Sequence, residues 1–241
     1  IHMKNIYSLL ILVFIFVLGM SCNPTFYVPN TQNVPMIGEK GQVNLSLAGN
    51  ANQVEIQGAY GLSSKFTLQA NTAFYVPRDL DNGNGGGGKL FELGLGYYKP
   101  IRERIIFETY ALFGIGGMEN HFPTTLTANP NTTGKISALL NRYTIQPILG
   151  FNAKYYSVIF SSRFSSLNYG NYKGSLVFDN ADQTEYLKAN RINFLIEPAL
   201  TVRVGSEKIK FQLQVMHSFN LSNDLFKQED DLISMGLNFH F

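Results

Sequence analysis

His217, Ser218 and Asn220 lie close together near the end of the chain, and a histidine beside a serine hydroxyl is what nucleophilic catalysis needs. The hydroxyl must be within hydrogen-bond reach of the ring, and a third group must orient that ring. In an extended chain residues i and i+2 share a face, so the adjacent His217 and Ser218 point apart. Phe219 stands where the serine should be. Asp224, Asp230 and Asp231 follow, with no histidine that the sequence places beside them. Gly83-Asn-Gly-Gly-Gly-Gly88-Lys89 imitates a phosphate loop. Leu90 follows its lysine where Ser or Thr would hold Mg²⁺, and the next segment reads as a strand. His121 and His240 are isolated, so no metal site is arguable and no cofactor is implied. Arg142 and Lys173, with Tyr169 and Tyr172, could hold a surface glycan but read as ordinary loop residues. The expectation is a protein that is not an enzyme.

The elements that would carry these residues are strands. Apolar side chains recur at every second position in ten segments between residue 42 and residue 241. In residues 65–75, Phe66, Leu68, Ala70, Thr72 and Phe74 share one face; Thr67, Gln69 and Asn71 share the other. The last segment, 231–241, alternates through Ile233, Met235, Leu237, Phe239 and Phe241. No helical stretch is expected after the first residues. Pro147 and Pro198 fall inside strand segments and are read as bulges. Connections alternate between tight turns and long polar loops, the pattern of an outer-membrane barrel. The chain carries 15% charged residues and a net charge of +2, which fits a lipid-facing surface and gives no basic stripe for nucleic acid. The fold expected is all-β: a single closed antiparallel transmembrane barrel of ten strands, with eight or twelve as alternatives.

Three stretches are expected: 1–21, 22–41 and 42–241. Ile1 and His2 precede the expected initiator Met3; Lys4 and an apolar run follow, as in a secretory signal peptide. Leu18-Gly-Met-Ser-Cys22 resembles a bacterial lipobox, which implies lipidation of Cys22. Residues 22–41 hold Pro24, Pro29 and Pro35 and read as an extended strap. Its Phe26, Tyr27, Val34 and Met36 are expected to pack into the periplasmic mouth or along a neighbour. Residues 42–241 form the barrel, and both chain ends are expected on its short-turn, periplasmic side.

Phe239 and Phe241 resemble the carboxy-terminal signal read by the barrel-assembly machinery, which implies that partner during biogenesis. Tyr60 to Asn71 resembles the hairpins of small bacterial outer-membrane barrels, and the proline-containing strap resembles the mature start of lipid-modified barrels of the Bacteroidota. His217-Ser218-Phe219-Asn220 resembles the His-x-Ser-Asn motif of lipid A deacylases, with the departure at Phe219 already described.

Ten strands leave a lumen that side chains fill. Its polar network is expected to contain Glu55, Glu92, Glu108, Arg163, Glu197 and Arg203, joined by Lys65, Lys210 and several glutamines. Charges of both signs there should pair, because an unpaired buried charge costs several kcal/mol. Arg163 and Glu197 are expected face to face. The functional expectation is a non-enzymatic structural or accessory component of an envelope complex, in contact with outer-membrane lipids and other envelope proteins. A narrow conduit for ions or small solutes is the alternative, and an outer-leaflet lipid-modifying enzyme the distant one.

Overall fold

The computed structural model describes residues 23–76, 85–122 and 131–241. Ten strands make the wall: β1 (Val43–Asn50), β2 (Gln53–Gly61), β3 (Phe66–Tyr75), β4 (Gly85–Arg102), β5 (Ile105–Phe122), β6 (Thr133–Asn152), β7 (Tyr156–Phe178), β8 (Ile192–Gly205), β9 (Ile209–His217) and β10 (Asp231–His240). Each pairs antiparallel with the next, and β10 returns to β1 with Leu237 opposite Leu47, so the sheet closes. Closure leaves no strand edge unpaired, the condition hydrocarbon imposes on a spanning sheet. The period-2 pattern sets the two faces. Phe66, Leu95, Phe160, Phe211 and Ile233 point out and are exposed, while Gln57, Gln69, Glu92, Gln146 and Gln212 point in and are buried.

β4 to β7 run 18, 18, 20 and 23 residues, well past the roughly 9–11 that cross a bilayer. The wall therefore rises beyond the apolar band at the end that carries the longer connections. Much of what reads as loop in the sequence is this extension. β7 reaches Phe178, turns, and pairs back through Ala181–Asp182 into α1 (Gln183–Ala189). This short helix corrects the expectation of none. Asp182 caps it by accepting the Thr184 and Glu185 amides, and buried Leu187 pins it to the wall cluster of Leu167, Tyr169 and Leu195. A helix this short has no independent stability; tertiary burial holds it.

The prolines are not bulges. Ser162↔Pro198 and Thr109↔Pro147 lie in unbroken register, and the register shifts fall instead at Pro100/Arg102 and Ser137/Leu139. Lacking an N–H, Pro198 cannot bond to the other neighbour. The β8–β9 ladder stops at Ala199↔Met216 and resumes at Ile196↔Phe219, so His217 and Ser218 are released from it.

The strap occupies the lumen. Near the short turns, the Gly41 amide donates to Gly61 and the Gly38 amide to Gln42. From there residues 37 to 26 pass along the barrel interior. At the far end Phe26 donates to the Lys227 carbonyl, and Thr25 exchanges two bonds with Asn120 at the long-loop end of β5. The strap was expected at one mouth; it spans the barrel. Residue 23, the first described, lies with the long loops, and Phe241 pairs with Val43 among the short turns.

Candidate functional site

Beyond a short parallel bridge between Tyr27 and Gln228, the extended segment inside the polar tube has no strand beside it among the described residues, so its backbone groups need other partners. The wall supplies side chains. Glu55 accepts the Thr31 amide at 2.8 Å and its hydroxyl at 2.7 Å. Gln57 and Gln146 donate to the carbonyls of Thr31 and Asn33 at 2.7 and 2.8 Å. Gln214 and the Gln32 backbone exchange a reciprocal pair at 2.7 and 2.9 Å. Glu108 accepts the Met36 and Ile37 amides at 3.1 and 2.6 Å. Met36 adopts φ 60°, and its thioether fills the space above Gly150, where a Cβ would stand 2.5 Å from the Met36 methyl.

Two arginines hold the centre. Arg142 makes a two-pronged contact with Glu92, at 2.9 and 2.7 Å, and donates to the Asn30 side chain and the Tyr27 hydroxyl. Tyr27 in turn donates to Glu197 at 2.8 Å. Arg163 stands opposite Glu197 in register, 3.5 Å away, and shares the Asn30 oxygen with Arg142 at 2.7 Å. Apolar residues close both ends: Phe26 and Tyr27 with Phe122, Tyr169 and Phe226 at the long-loop end, Val34 and Met36 with Ile106, Tyr110 and Ile148 at the other. Arg142 and Tyr169 are thus interior residues, not glycan-facing loop residues. Lys65 lies exposed in the β2–β3 turn rather than inside. The expected pairing of charges also fails at Arg203, which among the described residues has no carboxylate within 4 Å of its guanidinium.

A second constellation sits on the outer wall at the long-loop rim. His217 Nδ1 lies 2.7 Å from Asp231 Oδ1, with the two residues directly opposite across β9 and β10. The histidine ring packs edge-on against Phe219, centroids 4.3 Å apart. Val215 and Ile233 lie immediately below, and Phe219 is exposed beside it. The pair thus stands where the apolar band meets the polar loops. Ser218 points inward, buried, and its amide donates to the Asp230 carbonyl. The adjacency argument holds for the serine, but the sequence reading missed Asp231 as the partner of His217. Thirteen intervening residues hide a cross-strand neighbour whose register only the closed ladder sets.

The remaining residues separate. Phe239 lies half-buried on the outer wall beside Leu45, and Phe241 is exposed at the short-turn rim. Lys89 opens onto the lipid-facing wall within a glycine strand, not a phosphate-binding turn. Cys22 and residues 1–21, like Gly83, lie outside the described residues. Among the described residues no group of three His, Cys, Asp or Glu side chains could hold a metal ion.

No family model and no curated protein matches the chain. Among solved structures it is similar to the outer membrane protease OmpT from Escherichia coli, with TM-score 0.47 and 10% identity over 85% of this chain and 94% of that one. It is also similar to LpxR from Salmonella typhimurium, with TM-score 0.35 and 9% identity over 83% and 99%. These are outer-membrane barrels, and at this identity the likeness speaks for the fold alone. OmpT is a protease by name, so the expectations of a non-enzymatic accessory barrel and of no enzyme find no support among these neighbours and are not carried further.

Proposed function

We propose that this chain is an outer-membrane barrel, sealed by its own strap, that hydrolyses an ester of an outer-leaflet lipid at its long-loop rim. The observation that carries the reading is the His217–Asp231 contact of 2.7 Å on the lipid-facing wall at headgroup height. Asp231 accepts the Nδ1–H, which leaves Nε2 as the basic nitrogen and stabilises the imidazolium formed when it takes a proton. Since Ser218 faces the lumen, the nucleophile is a water. His217 removes its proton, the hydroxide adds to the ester carbonyl, and the proton passes to the departing alkoxide. Exposed Phe219 against the ring, with exposed Val215 and Ile233 next along the wall, gives an acyl chain apolar surface beside the base.

On this reading the long loops face the outside, as in other outer-membrane barrels. The filled lumen speaks against the conduit reading: Asn30, Thr31, Gln32 and Asn33 are all buried at mid-barrel and bonded to the wall around them.

The test is lipid mass spectrometry of outer membranes containing the wild type, His217→Ala or Asp231→Asn. Wild type should release a fatty acid from a membrane lipid, and His217→Ala should slow that release about 10²-fold or more while the barrel still migrates as a folded species. Identical lipid spectra with and without the wild-type protein would contradict the reading.

A further inference from the structure

The short-turn mouth holds a cavity of about 260 Å³ beneath the lower end of the strap, with Pro35 in its lining. Its charge is one-sided. Arg203, Lys210, Lys154 and Lys208 line it together with His240, against one carboxylate, Glu207. That carboxylate is engaged by Lys154 at 3.4 Å.

Arg203 is the informative member. It is 3% exposed, its Nε donates to Gln212 at 2.8 Å, and among the described residues its Nη2 has no hydrogen-bond partner. Glu108, an acid of the same interior network, is already occupied by the Met36 and Ile37 amides. A guanidinium buried with an idle nitrogen is unfavourable unless an anion completes it. Beside it Lys210 is held in place by Asn152, Ala153 and Ser157, at 3.1, 2.7 and 3.1 Å, so its charge is fixed at the cavity wall although its protons are spent. Asn238 and Asn44 pair with each other at the back of the cavity, and His240 bonds Gln42 of the strap's exit.

We propose that this cavity is a binding site for a phosphate-bearing group, with Arg203 as its principal donor and Lys208 and Lys154 as the rim cations that draw the anion in. A planar guanidinium matches phosphate oxygens in geometry, and the volume admits a phosphate with a small substituent rather than a large ligand. The site is separate from the rim dyad, at the opposite end of the barrel.

Thermal unfolding in a phosphate-free detergent, titrated with inorganic phosphate against chloride at matched ionic strength, tests it for the free ion. Native mass spectrometry from nanodiscs of phosphatidylglycerol against a neutral glycolipid tests it for a lipid headgroup. Saturable stabilisation by phosphate assigns the free ion; retention of phosphatidylglycerol alone assigns the headgroup; either supports the site. Arg203→Gln should weaken whichever binding is found about tenfold or more, and the surface double variant K154Q/K208Q should weaken it several-fold with a flatter salt dependence. Absence of binding in both arms would overturn the proposal. So would unchanged affinity in Arg203→Gln or, should that variant not assemble, in K154Q/K208Q.

Discussion

Arg142 ties four groups together at the centre of the barrel: Glu92, Asn30, Tyr27 and, through Tyr27, Glu197. Removing it leaves Glu92 charged, buried and without its two-pronged partner. Arg142→Met should destabilise the barrel by about 3–5 kcal/mol, and adding Glu92→Gln should recover part of that loss. Urea unfolding in lipid vesicles measures both; an unshifted midpoint in the single variant would contradict the assignment. Arg163 and Glu197 were legible in the sequence because alternation puts both inside and the tight turns set their heights. Arg142 was not, since the strand that carries it runs back to Thr133, so a residue that reads as the edge of a loop is interior wall. His217 and Asp231 were individually visible, but their contact depends on a register that crosses a loop.

The strap is the element whose role was half legible. Its apolar residues between prolines showed that it packs, while the lumen glutamines and glutamates were read as partners for charges rather than for backbone. Counting backbone groups resolves this: Glu55, Gln57, Glu108, Gln146 and Gln214 each serve a strap amide or carbonyl. If the strap is what seals the tube, a chain lacking residues 23–38 should conduct in planar bilayers whereas the complete chain conducts little. Equal, low conductance in both would show that wall side chains alone close the lumen. At the rim, α1 depends on its cap. The Thr184 amide, by bonding the Asp182 carboxylate, holds it below its ordinary range. A carboxylate depressed on folding stabilises the helix above its unfolded pKa, and that contribution vanishes as pH falls through the folded one. Amide exchange across Gln183–Ala189 should therefore quicken in acid before the strands respond, and Asp182→Ala should abolish that pH dependence. Exchange that is insensitive to pH after correction for intrinsic rates would contradict it.

At the scale of the molecule, the barrel presents apolar side chains outward and polar ones inward, the reverse of a soluble domain. That inversion is why alternation alone revealed the architecture. What alternation could not show is the path of a segment that belongs to no strand. The strap runs from the long-loop end at Asn23 to the short turns at Gly41, so the polypeptide passes once through the inside of its own barrel before building the wall. Cysteine accessibility in oriented outer membranes tests this most directly, with Asn23→Cys and Lys40→Cys compared against the unsubstituted chain and a membrane-impermeant maleimide as the probe. Position 23 should label from the outside of intact cells, together with a Leu225→Cys loop control, and position 40 only after permeabilisation. If 23 and 40 become reactive from the same side, the strap does not thread the lumen and the account fails.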